Sequence, residues 1–340
     1  VLHKIAMTAM TGKGAESSKE LLAHLVVDAI TQVAQEHTVD RHAIKIEKKV
    51  GNGIEDSELI FGLVLDKERV HPGMPLFIEH AKIALLDQAL EIKNPEADTK
   101  IQVTTPLQME EFIEREERLL RSYADTIISC GANVVVCQKG IDDLVQHYLA
   151  QSGVYAIRRV SKSDMERVAK ATGAKLMSKI SDLKPSDLGQ AGVVEEQKVG
   201  NEDMTYIRDC TEAKAVTLLI RGGSEHVIDE VERAVNDAVG DIIAALENGK
   251  VVAGAGAPEI EVSRELRAYA NTLSGREQLA VFAFAEAIEV VPRTLAENAG
   301  LDPIDMVTEM KVAHDAGKKW HGIDVFEGKV VDGWIHSVVE

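Results

Sequence analysis

Three short stretches of the sequence combine residue types that suit phosphate chemistry. Residues 11–14 read Thr-Gly-Lys-Gly and place Lys13 in a glycine-rich turn before a predicted helix, where its ammonium group can bind a phosphate. Residues 254–256 read Gly-Ala-Gly between a predicted strand and a predicted helix, a turn that lets backbone approach an anion. Asp237 lies on another predicted helix and supplies a carboxylate, a group that can act as a general base.

Each of these stretches also has an ordinary structural explanation. The 254–256 turn departs from the dinucleotide-binding pattern because the sixth residue is Glu259 rather than glycine. Lys13 is followed by glycine, so it does not complete a Walker A loop. Asp237 stands among other acidic residues that would line the wet face of a helix. From the pattern alone, a strand–helix turn, a solvated turn and a solvated helix face therefore remain open.

Composition narrows the class of protein. The 340 residues suggest two or three domains, and 45% hydrophobic with 28% charged residues indicates a globular chain. The formal charge of −18, from 38 basic and 56 acidic residues, argues against nucleic acid and against anionic membranes as partners. The opening Val-Leu-His-Lys is not a signal peptide, and we expect a cytoplasmic location.

The cysteines and histidines form no metal-binding pattern. Cys130, Cys137 and Cys210 make no CxxC pair, which suits a reducing compartment. Cys130 and Cys137 flank a predicted strand, so a metal pair is conceivable, but buried thiols are the favoured interpretation. The eleven histidines include no HExxH motif, and we predict no structural zinc.

The elements that must position these residues alternate in type. Residues 132–177 follow a strand–helix–strand–helix–strand order that predicts a parallel sheet covered by helices. Two prolines in 71–75 mark a domain entry, and the highly charged helix 107–129 is expected to project from its domain. Periodicity also predicts helices over 15–36, 224–247, 258–273, 276–289, 292–299 and 303–316, strands over 44–47, 59–65, 215–220 and 250–253, and a hairpin over 322–331.

Two functional hypotheses follow from the residues alone. One is an ATP-coupled machine with a mobile inserted domain, joined to its parent near residues 64 and 216. The other is a metabolic α/β enzyme that binds a small anionic ligand at the strand ends of 132–177. Those ends carry Gln-Lys-Gly at 138–140 and two arginines at 158–159, which could bind an anion but form no catalytic set.

Longer strings of the sequence resemble group II chaperonins. The string 131–143, Gly-Ala-Asn-Val-Val-Val-Cys-Gln-Lys-Gly-Ile-Asp-Asp, is similar to the apical domain of that family. The similar strings follow one another in the family's order and together extend over the chain. They are 4–8, 131–143, 146–150, 169–174, 219–223, 274–280 and 292–302.

The resemblance implies a multidomain α/β chaperonin fold. It assigns an α/β apical domain with a helical protrusion that forms a built-in lid, an intermediate domain in two parts, and part of a helical equatorial domain. Group I chaperonins lack such a protrusion, so the charged helix 107–129 argues for group II. The implied ranges are 1–63 and 216–248 for the intermediate domain, 64–215 for the apical domain with its protrusion at about 88–129, and 249–340 for the equatorial part.

The resemblance also implies roles for individual residues in binding and hydrolysing ATP. Asp237 matches the carboxylate that orients or activates the attacking water, a task that suits phosphoryl transfer because its catalysis is mostly positioning. Lys13 matches the lysine that senses the γ-phosphate. The other implied nucleotide-binding residues are Gly254, Ala255, Gly256 and, near the ribose, Glu340.

The sequence departs from the family pattern in two ways. Ala255 stands where the family has the middle glycine of a three-glycine turn. The upstream Gly-Asp-Gly-Thr-Thr phosphate loop and the Asp that binds Mg²⁺ are not in this sequence, so no metal ligand is predicted within it. We therefore expect ATP hydrolysis from the complete subunit and little from this chain alone.

The family's partners are identical or homologous subunits in stacked rings and unfolded polypeptide clients. The predicted function is an ATP-dependent chaperone that encloses and folds such clients, and the alternative is a fragment that binds them passively. Candidate client contacts on the helix 140–151 are Leu144, Tyr148 and Leu149. Packing of the helix on the sheet is the competing explanation for Leu144.

Overall fold

The computed structural model describes residues 1–14, 18–35, 38–92, 106–199, 202–210 and 214–340. The predicted polar run 94–106, and with it much of the predicted protrusion, falls almost entirely outside these ranges. The described chain forms two compact units, one from Val1–Val27 with Arg233–Glu340 and one from Asp28–Glu232. The domain boundaries implied by the resemblance stay predictions.

The Asp28–Glu232 unit contains a mixed sheet of seven described strands. They are β3 (Gly62–Leu65), β4 (Phe77–Leu86), β5 (Val134–Cys137), β6 (Tyr155–Ile157), β7 (Leu176–Met177), β8 (Gly189–Val199) and β9 (Glu202–Arg208), and the helices α3 (Pro106–Ser129), α4 (Asp143–Gln151) and α5 (Lys162–Thr172) connect or flank them. The strand order is β3-β9-β8-β4-β5-β6, with β7 paired to β4. Strands β4, β5, β6 and β7 pair in parallel, whereas β3, β8 and β9 pair antiparallel.

The predicted parallel sheet is thus only part of the observed one. The strand–helix alternation over 132–177 is confirmed, and its strands pair in parallel. The antiparallel strands β8 and β9 were not predicted, because β8 alternates only weakly between buried and exposed positions. The sheet is therefore mixed, and its antiparallel part lies beside β4.

A second, smaller sheet in this unit joins distant parts of the chain. Among the described residues it has three strands, with β10 between β1 and β2. Strand β1 runs parallel to β10, with Ile44 opposite Val216, and β2 runs antiparallel to β10. The strands are β1 (Ile44–Val50), β2 (Glu58–Ile60) and β10 (Val216–Gly222), and the extended segments predicted there are confirmed.

Helix α3 divides into an exposed and a packed half. Its stripe of Leu120, Ala124 and Ile127 is buried in the core that the helix shares with β4, β5 and α4. Toward its N-terminus, Phe112 and Ile113 are exposed. The expectation that this charged helix extends out of its domain is met by its N-terminal half.

The three cysteines are buried free thiols, as predicted. Burial raises the pKa of the Cys137 thiol to about 11 and that of the Cys210 thiol to about 12. Burial, with a smaller contribution from the Asp187 carboxylate, also raises the pKa of Cys130. All three side chains therefore remain protonated near neutral pH.

The unit formed by Val1–Val27 and Arg233–Glu340 is mainly helical. Its core contains Ile260, Ala296, Val307, Met310 and Ile323. The predicted helices and terminal hairpin are confirmed within a few residues. They are α7 (Ala257–Ala270), α8 (Gly275–Ile288), α9 (Val290–Asn298), α10 (Pro303–Asp315), β11 (His321–Asp324) and β12 (Lys329–Asp332). The unit also contains α1 (Leu2–Met10), for which no helix was predicted from periodicity, and parts of the predicted helices α2 (Lys19–Val33) and α6 (Glu225–Asn248).

Helix α6, which carries Asp237, is amphipathic over 24 residues. Its predicted apolar face is buried from Ile228 to Ile242, whereas Val227 at its start is exposed and Leu246 near its end is half-buried, and the acidic residues lie on other faces. Nowhere in the part of the chain that the structure describes is a helix both apolar enough and long enough to cross a bilayer.

The predicted strand over 250–253 is not formed. Backbone pairing there is limited to Val252 with Glu340, through N···O distances of 2.9 and 3.0 Å, and to Gly254 with Val338 at 3.1 Å. The result is an isolated bridge between Ala253 and Val339 instead of a strand. The segment is extended because it pairs with residues 338–340, and this pairing is too short to make a ladder.

Candidate functional site

Lys13 is placed by the turn that follows α1. Gly12 adopts a left-handed backbone with φ +75°, which turns the chain after the helix without the steric cost a side chain would bring. The Nζ of Lys13 forms an ion pair with Oδ2 of Asp237 on α6. Both side chains keep solvent access, with 29% and 48% of their surface exposed. Two residues that are 224 positions apart in sequence therefore meet at one place.

Asp237 is followed one helical turn later by a second carboxylate. Burial and the negative charge of Asp237 raise the pKa of Asp241, and the positive charge of Lys13 partly opposes this shift. The three groups thus interact electrostatically, with one ammonium group facing two carboxylates. Asp241 is exposed, as expected for the solvated face of α6, and its position four residues after Asp237 puts both carboxylates on one side of the helix.

The 254–256 turn leads directly into α7. Gly256 is the residue before that helix and has a left-handed φ of +82°. A Cβ at Gly256 would lie 2.7 Å from Cβ of Pro292, and a Cβ at Gly254 would overlap the carboxyl group of Glu340. Glycine is therefore required at 256 for backbone shape and close packing, whereas a side chain at 254 would displace the carboxyl group of Glu340.

Ala255 also has a left-handed backbone, with φ +60°. This conformation is unfavourable for a residue with a Cβ. The carbonyl of Ala255 accepts a hydrogen bond from the amide of Ile323 in β11, with an N···O distance of 3.0 Å. The turn is thus fixed in a conformation that glycine would adopt with less strain.

Replacing Ala255 with glycine is expected to leave stability unchanged or raise it by up to about 1 kcal/mol, because relief of strain offsets the added chain entropy of glycine. Urea unfolding of the two proteins measures this difference. The control is Ala283→Gly on the exposed face of α8, where the same substitution should cost about 1 kcal/mol. Equal losses at both positions would contradict a strained Ala255.

Glu340 lies against the same turn. Its carboxyl group accepts a hydrogen bond from the backbone amide of Ala255. Burial, the charge of Glu259 and, more weakly, the charge of Asp241 raise its pKa, and the bond from Ala255 opposes them. This interaction with Asp241 connects Glu340 and the turn to Asp237 and Lys13. The structure therefore brings all the predicted nucleotide-binding residues of this chain into one region.

The charges of this region limit what it can bind. Lys13 can pair with an anion, and the half-exposed carboxylate of Asp237 can accept a hydrogen bond from water. The raised pKa values of Asp241 and Glu340 reflect burial and repulsion by neighbouring carboxylates, Asp237 for Asp241 and Glu259 and Asp241 for Glu340, so a bare polyanion would be disfavoured. An anion accompanied by a divalent cation fits these charges better. Among the described residues, no three His, Cys, Asp or Glu side chains are grouped so as to bind a metal ion.

The three residues predicted to contact clients differ in exposure. Leu144 on α4 is 43% exposed, so it does not pack on the sheet. The hydroxyl of Tyr148 donates to Oε1 of Glu117 at 3.0 Å, and its ring is half-buried. Leu149 is fully buried in the core, and the prediction that it contacts clients is therefore corrected, because its surface is used by packing.

The strand end at 138–140 is lined by carboxylates. Lys139 lies 3.5 Å from a carboxylate oxygen of Asp87. The side chain of Glu91 occupies the space next to Gly140, where a Cβ would overlap it. Two carboxylates therefore stand where an anionic ligand would bind, and the hypothesis of a small-molecule enzyme gains no support.

A buried carboxylate in the unit formed by Val1–Val27 and Arg233–Glu340 was not predicted. Glu289, between α8 and α9, has no exposed surface, and its oxygens lie 2.7 Å from Ser263 Oγ, 3.0 Å from Arg267 Nη2, 3.1 Å from Arg293 Nη2 and 2.8 Å from Lys311 Nζ. Burial opposes its ionisation, but the hydrogen bonds from Lys311, Ser263 and Arg267 outweigh burial and lower its pKa to about 2. A single acidic residue within the apolar run 287–291 was the available signal.

Comparison with known proteins gives consistent matches over the whole chain. A model of the TCP-1/cpn60 chaperonin family matches residues 1–340. The thermosome subunit beta of Methanothermobacter thermautotrophicus is 56% identical over 339 residues, and a thermosome subunit of Methanopyrus kandleri is 57% identical over 343 residues. Both alignments cover 100% of this chain, and the chain spans 63% of the length of these curated relatives.

A solved structure is also similar. An open-state monomer of a group II chaperonin from Methanococcoides burtonii superposes with a TM-score of 0.71 and 47% sequence identity. That match covers 100% of this chain and 79% of the other.

Proposed function

Because the chain belongs to the TCP-1/cpn60 chaperonin family, we propose that it acts within an ATP-driven chaperonin subunit that encloses and folds unfolded polypeptides. Its curated relatives are thermosome subunits, which it matches over 63% of their length. In this proposal the subunits assemble into stacked rings in the cytoplasm, and neither nucleic acid nor membrane is a partner. The net charge of −18 suits a hydrophilic chamber wall that releases its clients.

The observation that carries the proposal is the ion pair between Lys13 and Asp237 beside the 254–256 turn. Surface ion pairs contribute little stability, so this pair is poorly explained as a structural device. Lys13 can exchange its carboxylate partner for a phosphate, which would leave Asp237 free to accept from water. That exchange would couple ligand binding to the formation of a hydrolytic arrangement.

The residues present fit ATP bound together with Mg²⁺, because their carboxylates tolerate a polyphosphate only beside a cation. Lys13, the backbone of 254–256 and Glu340 would bind the nucleotide, and the Mg²⁺ ligand is expected from sequence outside this chain. When bound, Mg-ATP supplies the scissile phosphoanhydride bond and neutralises charge on its phosphates. Asp237 would orient the attacking water and accept its proton.

Clients would be bound by the other unit. Leu144 and Tyr148 present apolar surface on α4, and the exposed apolar residues Phe112 and Ile113 of α3 belong to the same unit. Exposed apolar side chains of this kind suit weak binding of unfolded chains. Nucleotide-driven domain movement would then release clients into the chamber.

We test the proposal with Lys13→Ala in the full-length subunit. ATP-dependent closure of the ring, measured as protection from protease, should fall about tenfold or more, because the charge-assisted contact that senses the phosphate is lost. Lys4→Ala, an exposed lysine on α1, is the control and should close normally. Normal closure of the Lys13→Ala ring would contradict the assigned role.

A further inference from the structure

His314 on α10 is a fully buried histidine whose two ring nitrogens both have partners. Its Nδ1 lies 2.8 Å from Oε2 of Glu261 on α7. Its Nε2 lies 2.9 Å from the backbone carbonyl oxygen of His321, the first residue of β11. The imidazole of His314 on α10 is therefore in contact with both α7 and β11, and all three elements belong to one unit.

Both partners of His314 are hydrogen-bond acceptors. A backbone carbonyl has no proton to donate, and Glu261 also forms an ion pair with Arg264, whose Nη2 lies 2.7 Å from Oε1, so the guanidinium charge favours the ionised carboxylate. A neutral imidazole has one donor and one acceptor nitrogen. Two donated hydrogen bonds require a proton on each nitrogen, so the geometry is that of an imidazolium.

Strand β11 connects His314 to the 254–256 turn. The amide of Ile323 donates to the carbonyl of Ala255 at 3.0 Å. A Cβ at Gly322 would lie 2.8 Å from the carbonyl oxygens of both Gly254 and Ala255, so strand and turn are in close contact. Ile323 follows His321 by two residues in β11. A displacement of β11 at His321 would therefore shift Ile323 and, through its hydrogen bond, the 254–256 turn.

The surroundings of the ring contain charges of both signs. His314 borders a cavity of about 240 Å³, and the opposite walls come from α7, from the start of α9 and from α10 itself. The carboxylate of Glu261 makes an ionic contact with Nδ1 of the ring. The other charged or titratable groups that line the cavity or lie beside the ring are Arg264, Glu265, Arg267, Glu289, Lys311, Asp315 and His321.

We propose that His314, as an imidazolium bridging Glu261 and the His321 carbonyl, is a positioning residue for the 254–256 turn. This inference rests on the proposed function, in which that turn binds a nucleotide. The protonated ring donates to both partners and fixes β11, and β11 fixes the carbonyl of Ala255. Loss of one proton from the ring would remove one of the two donated bonds and so reduce the order of the turn.

The test is made on the purified protein without nucleotide. Two-bond ¹H–¹⁵N spectra of the histidine rings should show both nitrogens of His314 protonated at pH 7. The amide of Ile323 should exchange slowly with solvent at that pH, and its protection should fall about tenfold on titration to alkaline pH, after correction for the intrinsic exchange rate. His314→Gln should lose the same protection already at pH 7, because one glutamine side chain cannot donate to both acceptors.

Glu261→Gln is the decisive second variant. Its amide group can donate to Nδ1, so a neutral His314 keeps both hydrogen bonds, and the alkaline loss of protection at Ile323 should disappear. His24→Gln is the control, since His24 is an exposed histidine on α2 in the same unit, and it should change nothing at Ile323.

Three results would overturn the inference. They are a His314 ring with one proton at pH 7, an alkaline loss of protection that persists in Glu261→Gln, and unchanged exchange at Ile323 in a folded His314→Gln. If His314→Gln does not fold, the ring spectra of the unmodified protein and the pH series on Glu261→Gln still test the inference. None of these readouts uses ATP, so failure of the nucleotide proposal would show separately, in ATP binding and turnover by the full-length ring.

Discussion

Asp237→Asn in the full-length subunit is expected to lower the rate of ATP hydrolysis roughly 10²- to 10⁴-fold, the usual contribution of a general base. Asparagine keeps the shape of the side chain, but its amide cannot take a proton from the attacking water. Nucleotide binding should persist, because Lys13, the 254–256 turn and Glu340 are unchanged. Single-turnover hydrolysis and equilibrium nucleotide binding measure the two properties separately.

Unfolding would not explain such a loss. The ion pair of Asp237 with Lys13 is solvent-accessible, and exposed pairs contribute at most about 1 kcal/mol. Glu247→Gln, an exposed acidic residue farther along α6, is the matched control and should hydrolyse ATP at the normal rate. Retention of normal turnover in Asp237→Asn would rule out the catalytic assignment.

Among the substitutions considered, Glu289→Gln is expected to destabilise the protein most, by about 3–5 kcal/mol in the free energy of unfolding. The side chain has no exposed surface, and its charge balances Arg267, Arg293 and Lys311. Removing that charge leaves three cations close together without their shared partner. Urea unfolding measures the loss, and the exposed Glu286→Gln on α8 should change stability by no more than about 0.5 kcal/mol.

The same carboxylate makes stability depend on acidity. The pKa of Glu289 in the folded protein is about 2, below the ordinary 4.5 of an unfolded chain, so the unfolded state binds the proton more readily. Its contribution is present above about pH 4.5 and is lost as pH falls toward 2. The Glu289→Gln protein should lack this part of the acid dependence, and an identical acid profile in both proteins would contradict the assignment.

Local sequence signals were sufficient for the helices. Helix α5 covers the predicted range 162–172, because Met165, Val168 and Thr172 recur at helical spacing and Ser161 caps its first turn. The mixed sheet was less predictable. Strand β8 is stabilised by pairing with β4 and β9, and its own residues alternate too weakly to indicate a strand.

The candidate site was also hard to predict from local sequence, because it depends on contacts between distant segments. Neither Lys13 nor Asp237 stands out in its own segment, and their contact spans 224 residues of sequence. Family resemblance therefore proposed their roles, and the fold brought them together. His314 was not proposed, because a histidine in an amphipathic helix gives no sign of the two acceptors that tertiary packing supplies.

The burial of the three thiols has a practical consequence for labelling this protein with fluorescent dyes. Thiolates, and not thiols, attack alkylating reagents, and the raised pKa values of Cys137 and Cys210 keep those groups protonated inside the core. A cysteine introduced at the exposed position of Leu144 should therefore react with a maleimide dye far faster than the native thiols. Fluorescent reporters can be attached at chosen surface positions without first removing the three cysteines of this chain, and movements of α4 can be followed in real time.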